Sequence, residues 1–232
     1  MNRAIDVTTS VLATAARLAF AERVGPLGKR PERPLRLYDF EACPYCRKAR
    51  EALTVLDLDV EIYPCPKGGQ RYRPWVKANG GREQFPYLVD PNTDIALYES
   101  DEINRYLFET YGNGRVPLPL AAGPLTDLSS YAASAWRLGH GRSYRPAKAP
   151  VKLLELYSYE GSPFCRIARE TLCELELPYL LHNVGRRSPK REAFAALAGK
   201  IQVPYLVDPN TGKAMFESAD IVEYLHRTYG QG

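Results

Sequence analysis

Two cysteines separated by two residues form the motif best suited to chemistry in this sequence. Cys43 and Cys46 enclose Pro44 and Tyr45, and the motif directly follows the short apolar run 35–40. Proline suits the first turn of a helix, where its missing N–H has no helical partner. Cys43 is therefore predicted to be the N-cap of a helix, where free backbone N–H groups and the helix dipole stabilise an anion.

A thiol at that position is predicted to be a nucleophile. Arg47 and Lys48 follow within one turn, and their charge should lower the pKa of Cys43 further. Cys46 is expected on the apolar stripe of the helix, where it would resolve a mixed disulfide. A half zinc site is disfavoured, because no second Cys or His pair has ligand spacing, so no metal is expected. A purely structural pair is disfavoured because Cys43 is expected at an exposed helix start.

Most of the chain occurs twice. The octapeptide Pro-Tyr-Leu-Val-Asp-Pro-Asn-Thr stands at 86–93 and again at 204–211, and the Cys43 motif returns as Ser162-Pro163-Phe164-Cys165. The chain is therefore predicted to be a tandem duplication of a unit of about 115 residues. The units span 1–116 and 117–232, and their boundary falls in a segment rich in Gly and Pro.

Each unit is predicted to begin with a helix, near 7–23 and 126–138, since Ala16-Arg17-Leu18 corresponds to Trp136-Arg137-Leu138. A segment repeated in mid-chain is better explained as part of the fold than as a transit peptide. The two leading helices are expected to pack against their own sheets or against each other.

After the leading helix, each unit follows the order β-α-β-α-β-β-α. The predicted elements of unit 1 are strands at 35–40, 60–63, 87–89 and 95–98 and helices at 44–56, 72–78 and 100–111, and the strands of unit 2 lie near 153–158, 179–183, 205–207 and 214–216. This order, with a Cys-x-x-Cys opening the first helix and a proline before the third strand, resembles the thioredoxin-like fold. The fold class is therefore α/β, with two tandem thioredoxin-like units.

Two motifs narrow the resemblance. The segment 43–46 is similar to the glutaredoxin active site, whereas 84–88 followed by Glu99-Ser100 is similar to the N-terminal domain of glutathione S-transferases. The resemblance covers each unit from its first strand onward. It departs from the transferases in one respect, because a second thioredoxin-like unit stands where their all-helical domain would follow.

The resemblance implies a glutathione site in each unit. The residues it implies are Pro44, Tyr45, Phe85, Pro86, Glu99 and Ser100 in unit 1, and Ser162, Val203, Pro204, Glu217 and Ser218 in unit 2. The prolines would be cis and the residues before them would pair with the cysteinyl backbone of glutathione, while the Glu-Ser pairs would hold its γ-glutamyl end. A trans turn proline and a plain serine N-cap are the alternatives. Basic residues expected near its glycyl carboxylate are Arg71, Arg73 and Lys77.

The units are not predicted to be chemically equivalent. Ser162 replaces the nucleophile, and it is expected either to hydrogen-bond a glutathione thiolate or only to cap its helix. Cys165 and Cys173 are predicted to be buried structural residues. Cys65 is expected in a loop near the rim of the site as an incidental exposed cysteine, with a second resolving thiol or a glutathionylation site as alternatives.

Composition agrees with a globular protein of a reducing compartment. The 232 residues are 45% hydrophobic and carry a net charge of +4, too small and mixed to predict nucleic-acid binding. No apolar run reaches the length of a membrane span. Five cysteines do not suggest a disulfide framework. We expect a cytoplasmic protein, or one of a reducing organelle stroma, that is not secreted, and homodimerisation is compatible with the sequence.

The resulting hypothesis is a glutathione-dependent thiol–disulfide oxidoreductase. Cys43 would attack a disulfide-containing or glutathionylated substrate, Cys46 would resolve it, and glutathione would act as co-substrate. Two alternatives stay open: a glutathione transferase that conjugates electrophiles, and a non-catalytic module that binds glutathione or an iron–sulfur cluster.

Overall fold

The computed structural model describes residues 3–17, 20–121, 123–137 and 139–231. Leu18 and Leu138, which the repeat aligns, lie outside the described residues. The helices are α1 Arg3–Ala15, α2 Pro44–Val55, α3 Tyr72–Gly80, α4 Ser100–Tyr111, α5 Leu118–Ala121, α6 Pro124–Ala135, α7 Pro163–Glu174, α8 Arg191–Ala198 and α9 Ser218–Tyr229. The strands are β1 Leu35–Asp39, β2 Val60–Pro64, β3 Tyr87–Asp90, β4 Ile95–Tyr98, β5 Leu154–Ser158, β6 Tyr179–Asn183, β7 Tyr205–Asp208 and β8 Lys213–Phe216.

A single mixed sheet runs through both halves of the chain, in the order β4-β3-β1-β2-β6-β5-β7-β8. Within each half the first two strands are parallel and the last two form an antiparallel hairpin, which confirms the predicted thioredoxin-like order. The halves meet where β2 and β6 pair antiparallel, with Val60 opposite Leu181 and Ile62 opposite Tyr179. These side chains are buried, and one core extends across the junction.

The two hairpins are closed by the same side-chain arrangement. Asp90 lies at the end of β3, and its carboxylate accepts hydrogen bonds from the hydroxyls of Tyr106 and Tyr111 on α4. Asp208 accepts the equivalent pair in unit 2. Since a charge-assisted hydrogen bond is stronger than a neutral one, each aspartate fixes the last helix of its unit against the sheet.

The leading helices pack on the other unit and on each other, so only the first of the two expected arrangements, packing on their own sheets, is wrong. Helix α1 packs on α7 of unit 2 and α6 packs on α2 of unit 1, while α1 and α6 also contact each other as predicted. Equivalent hydrogen bonds are present at the α1–α7 and α6–α2 contacts. Ser10 Oγ donates to the Pro163 carbonyl and Ser130 Oγ donates to the Pro44 carbonyl, each over 2.7 Å. Each unit therefore covers the first thioredoxin-like helix of the other.

Both leading helices end earlier than predicted, at Ala15 and Ala135. The residues after α1 are extended and form backbone hydrogen bonds with a loop of unit 2. The backbone N–H of Val24, for example, donates to the Arg186 carbonyl over 2.9 Å. The residues beyond α6 do the same in unit 1, where the N–H of Lys67 donates to the Arg142 carbonyl over 2.6 Å. Because these residues pair in extended form with the other unit, they are not part of the leading helices. The segments after α1 and α6 therefore pack on the other unit, as the helices themselves do.

The junction between the halves contains a histidine held by two carboxylates. His182 on β6 lies 3.1 Å from Asp59 and 3.0 Å from Glu155. Burial alone would lower the pKa of His182, but the hydrogen bonds and charges of these carboxylates outweigh it and raise the pKa above its usual value. The charged imidazole therefore stabilises the folded protein.

We expect this contribution to be complete below about pH 6.5, the unfolded histidine value, and to be lost as pH rises through the raised folded pKa. Urea denaturation of wild type and His182→Gln should therefore give a stability difference that is larger at pH 6 than at pH 9. His226→Gln is the control, because the structure gives its ring no hydrogen-bond partner among the described residues. An equal difference at both pH values would contradict the assignment.

Candidate functional site

Cys43 lies where the sequence predicts it, at the N-cap of α2. Its backbone is extended, with φ −75° and ψ 123°, and Pro44 occupies the first turn. The backbone N–H of Cys46 donates to Cys43 Sγ over 3.2 Å. An N–H that would lack a helical partner is thus directed at sulfur, an arrangement that favours the thiolate.

The two thiols have opposite pKa shifts. Burial alone would raise the pKa of Cys43, but hydrogen bonds from the thiol and the backbone N–H of Cys46 outweigh it, and the pKa is lowered. Burial raises the pKa of Cys46 well above its usual value, and the hydrogen bond to Cys43 adds to the rise. Cys43 is therefore the better nucleophile of the pair, and Cys46 holds its proton.

Cys43 is buried, with 4% of its surface exposed, so the expected exposed helix start is a wrong prediction. The cover comes from α6 and the segment after it. Tyr131 of α6 donates a hydrogen bond to the hydroxyl of Tyr45 over 3.0 Å, and the N–H of Ala42 donates to the Gly141 carbonyl over 3.3 Å. We therefore expect a reagent to reach the sulfur faster when this cover is loosened.

The cover is also held by charge. Lys48 is buried and contacts Asp127 of α6 over 2.8 Å and Asp101 of α4 over 2.5 Å. Lys48 was expected to place a positive charge near the thiol. It instead connects α2 with α4 and α6 through these two ion pairs. Unit 2 has Ile167 at the matching position of α7, so this tie belongs to unit 1 alone.

We expect the variant Asp127→Asn/Ser130→Ala to be alkylated at Cys43 about tenfold faster than wild type. The two lost contacts together contribute about 1.4 kcal/mol, which corresponds to that factor in the open population. Mass spectrometry of the Cys43 peptide after timed iodoacetamide treatment measures the rate. Ser10→Ala removes the equivalent contact over unit 2 and should leave the Cys43 rate unchanged. A double variant as slow as wild type would mean that α6 does not control access.

The arginines of α2 are paired with buried acids, and the charge of Arg50 also contributes to the lowered pKa of Cys43. Arg50 bonds to Asp39 and, over 3.0 Å, to Glu160 of unit 2. Arg47 lies 3.4 Å from the same glutamate. Across the junction, Arg169 bonds to Glu41 over 3.1 Å. Buried acids and bases from both units therefore surround the dithiol.

The residues predicted to bind glutathione in unit 1 adjoin the cysteine loop. The Phe85–Pro86 peptide bond is cis. The Phe85 ring contacts the ring of Phe40 edge-on at 6.2 Å, and the N–H of Cys43 donates to the Phe40 carbonyl over 3.1 Å. Arg73 lies over the Phe85 ring at 4.8 Å. The cis-proline and the thiol thus border one face of the fold.

Glu99 joins this group through Gln84, whose side-chain amide donates to its carboxylate. The structure corrects the serine N-cap, because Glu99 occupies the cap position without a side-chain cap bond and Ser100 is the first helical residue. Glu99 has a φ of 62°, a conformation unusual for a residue with a side chain. Such strain collects at ligand sites, and Glu217 repeats it with a φ of 64°.

Unit 2 repeats the backbone of this site with a different atom at the cap. Ser162 has φ −77° and ψ 121°, and its Oγ accepts a hydrogen bond from the N–H of Cys165 over 3.3 Å. The Val203–Pro204 bond is cis. Glu217 precedes Ser218 at the start of α9, as Glu99 precedes Ser100 in unit 1. The two units therefore share the backbone of this region and differ in the atom at the cap, which is sulfur in unit 1 and oxygen in unit 2.

The remaining cysteines are buried. Cys65 is fully buried and donates to the Tyr63 carbonyl over 3.4 Å, so the prediction of an exposed rim cysteine is wrong. It packs in a buried cluster with Tyr38, Val76 and Tyr87 of its own unit. Cys165 is fully buried, and Cys173 accepts a hydrogen bond from the Glu41 N–H across the junction and donates one to the Gly141 carbonyl. All three are structural in position.

The three basic residues predicted to lie near the glycyl carboxylate of glutathione differ in their contacts. Arg71 donates to backbone carbonyls of Ala147 and Glu176 and is structural. Arg73 bonds to the Cys65 and Pro66 carbonyls and remains beside Phe85. Lys77 is exposed.

One cluster has the ligand types of a metal site. Ligand atoms of Asp6, His140 and Glu170 lie within 4.8 Å of one another. Arg137 already bonds to both carboxylates, over 2.5 and 2.6 Å. The guanidinium therefore supplies the positive charge that a cation would bring.

In the part of the chain that the structure describes, no helix is long and apolar enough to cross a membrane.

Comparison with known proteins agrees with the duplication. Residues 37–115 and 156–232 each match the family model described as glutathione S-transferase, N-terminal domain. Among solved structures, the unique trimeric glutathione transferase TDR1 of Leishmania is similar, with 15% identity over 86% of this chain and 68% of that chain and a TM-score of 0.31. No protein of curated function matches the sequence.

Proposed function

This chain belongs to the glutathione S-transferase N-terminal domain family, and on that basis we propose that it is a glutathione-dependent thiol–disulfide oxidoreductase. Cys43 is the nucleophile and Cys46 the resolving thiol. The observation that carries the proposal is the hydrogen bonding of Cys43 Sγ at the N-cap of α2, which lowers its pKa while Cys46 keeps its proton. Family membership supports glutathione as the co-substrate.

The reaction proceeds in two exchanges. The Cys43 thiolate attacks one sulfur of a disulfide or glutathionylated thiol, and the other sulfur leaves as a thiolate. Cys46 then loses its proton and attacks Cys43 Sγ, which releases the second sulfur and leaves a Cys43–Cys46 disulfide. Two molecules of glutathione reduce that disulfide and become oxidised glutathione.

Glutathione would lie along the cis-proline of unit 1. We assign its cysteinyl backbone to Phe85 and its γ-glutamyl end to Glu99 and Ser100, with Pro44 and Tyr45 beside its sulfur. The equivalent residues of unit 2 would hold glutathione without exchange, because the Ser162 hydroxyl does not ionise near neutral pH. We place the activity in a compartment where glutathione is kept reduced.

The proposal is tested by two measurements on the wild-type protein. We expect glutathione-coupled reduction of a small disulfide, and a Cys43 alkylation rate that follows a pKa below the ordinary thiol value of about 8.5. An ordinary pKa with no reductase activity would reject the proposal. Conjugation of a model electrophile without disulfide reduction would instead favour a transferase, and a coloured protein as purified would favour an iron–sulfur module.

A further inference from the structure

Helices α1 and α6 present uncharged faces to solvent. The exposed residues of α1 are Ala4, Ile5, Thr8, Val11, Leu12 and Ala15. Those described for α6 are Leu128, Tyr131, Ala132 and Ala135, and the exposed Trp136 follows the helix directly. Every exposed residue of α4, by contrast, is charged. A helix that faces water normally carries its charged and polar residues on the outer face, so these two faces are suited to a contact that excludes water.

The charges of the two helices point towards the protein instead. Asp6 is the one acidic residue of α1 and bonds to the buried Arg137. Asp127 is the one acidic residue of α6 and bonds to the buried Lys48. Each helix therefore turns its carboxylate inward and large apolar side chains outward, the reverse of the pattern on a surface helix.

The two faces adjoin each other. Arg17, just after α1, donates to the Thr126 carbonyl of α6 over 3.3 Å, and Arg137, just after α6, donates to the Asp6 carbonyl of α1 over 2.8 Å. The end of each helix thus lies beside the start of the other, and the helices run side by side in opposite directions. Since they are equivalent segments of the repeat, the pair has an internal twofold arrangement.

The surface continues onto the two cap loops. Tyr131 contacts the exposed ring of Tyr45 edge-on, with 5.7 Å between the ring centroids. On α1, Ser10 donates to the backbone carbonyl of the residue before the exposed Phe164. We call the exposed residues of α1 and α6, together with these two rings and Trp136, the leading-helix face.

The leading-helix face has the size of a protein interface. On average, about half of each of its eight large apolar and aromatic side chains is exposed. At about 150–250 Å² for a fully exposed side chain of this size, they expose on the order of 700 Å². The largest apolar patch of a monomeric protein typically measures about 300–600 Å², whereas each partner of a stable complex contributes about 800 Å². The area therefore fits a protein partner.

We propose that the leading-helix face joins two copies of this chain in a twofold dimer. Such a dimer applies one surface to itself, and like-charge contacts across an interface oppose association. A face without charge avoids those contacts. A second antiparallel helix pair laid on the first would bury both pairs in a four-helix layer. The partner copy would then lie beside the loops that follow Cys43 and Ser162.

A lipid surface fits the leading-helix face less well. Helices that bind in the plane of a membrane carry Lys and Arg on the side next to their apolar side. Arg3 is the one basic residue within α1, and α6 has none. The other side of each helix is already packed on α7 or α2. The charge pattern therefore favours a second copy of the chain.

Sedimentation velocity of the full chain tests the proposal. As the concentration rises from about 1 to 100 µM, we expect wild type to form a species of about 52 kDa, twice the mass of the 26.1 kDa chain. Leu128 is 68% exposed, and Leu128→Lys should raise the dissociation constant at least about 100-fold, because the twofold axis places two such charges in one interface. Val11→Lys should have the same effect from α1.

Leu197→Lys is the matched control. Leu197 on α8 is 59% exposed and lies outside the leading-helix face, so this variant should dimerise as wild type does. Circular dichroism of each variant checks that it is folded.

Trp136 gives a readout from the face itself and does not require a lysine variant. Trp75→Phe leaves it as the sole tryptophan. Its emission should move to shorter wavelength at the concentrations where sedimentation shows the dimer. The emission of Trp75→Phe/Leu128→Lys should not change with concentration.

A wild type that stays monomeric up to about 100 µM would overturn the proposal. A dimer that both Leu128→Lys and Val11→Lys leave intact would also overturn it, because another face would then form the contact. A monomer whose Trp136 emission shifts only on vesicles of phosphatidylglycerol would assign the face to lipid instead. These measurements use neither glutathione nor Cys43, so their outcome is independent of the proposed function.

Discussion

Replacing Cys43 with serine is expected to lower glutathione-coupled disulfide reduction at least about 1,000-fold, because a hydroxyl at a helix start does not supply the anion that attacks sulfur. The chain contains its own precedent, since Ser162 caps α7 with nearly the same backbone angles as Cys43. The substitution should therefore leave the fold intact. The initial rate of the coupled assay measures the effect, and circular dichroism checks the fold.

Cys165→Ser is the matched control for this loss. Cys165 stands three residues after the N-cap of α7, as Cys46 stands after Cys43, and it is fully buried. Since unit 2 has no thiol at its cap, the variant should keep full reductase activity. Reduction that survives in Cys43→Ser would show that another cysteine carries the reaction.

Glu160→Gln is expected to lower the free energy of unfolding by about 3–5 kcal/mol, the range for a buried ion pair that loses one partner. Glu160 is buried and contacts Arg50 and Arg169 over 3.0 and 2.8 Å, with Arg47 at 3.4 Å. The amide would leave these guanidinium groups facing each other with less opposing charge. Urea denaturation followed by circular dichroism measures the change.

A surface pair provides the comparison. Glu102 and Arg105 form an exposed ion pair over 2.8 Å on α4, and Glu102→Gln should change stability by no more than about 0.5 kcal/mol. A loss below about 1 kcal/mol in Glu160→Gln would contradict the role given to the junction cluster.

The buried ion pairs of Glu160 should also contribute to the loss of stability at acidic pH. Burial alone would raise the pKa of Glu160, but the charges of Arg169, Arg50 and Arg47 hold it at about 2. A carboxyl whose folded pKa is lowered stabilises the fold above its unfolded value and loses that contribution as pH falls. Wild type should therefore lose its advantage over Glu160→Gln between about pH 4.5 and pH 2.

The sequence predicted the features that depend on neighbours along the chain. The repeat, the order of strands and helices and the N-cap at Cys43 follow from local pattern, because proline position and hydrophobic period act within a few residues. The features it missed depend on the other unit. Arg47 and Lys48 were expected to add positive charge near the thiol, whereas their partners Glu160 and Asp127 lie more than 70 residues away.

Burial was missed for the same reason. The exposure expected for Cys43 assumed that each unit stood alone, whereas its loop and helix contact segments that the repeat assigns to the next unit. Cys65 is instead buried among aromatic side chains of its own unit. One signal was available in the sequence. Helix α2 carries four charged residues within one and a half turns (Arg47, Lys48, Arg50 and Glu51), and α7 carries three at matching positions (Arg166, Arg169 and Glu170). Such a density of charge beside an apolar stripe indicates partners from elsewhere in the chain.

The exchange of leading helices has a consequence for how such a chain arose. A single repeat produced on its own would carry a leading helix that packs on another copy. The helix that follows its first strand would then be left uncovered. The repeat would be complete only as a domain-swapped pair, with the antiparallel β2–β6 contact on the dyad. Fusion of two such protomers would bring the exchanged helices into one chain, and either half produced separately should dimerise to recover its missing cover.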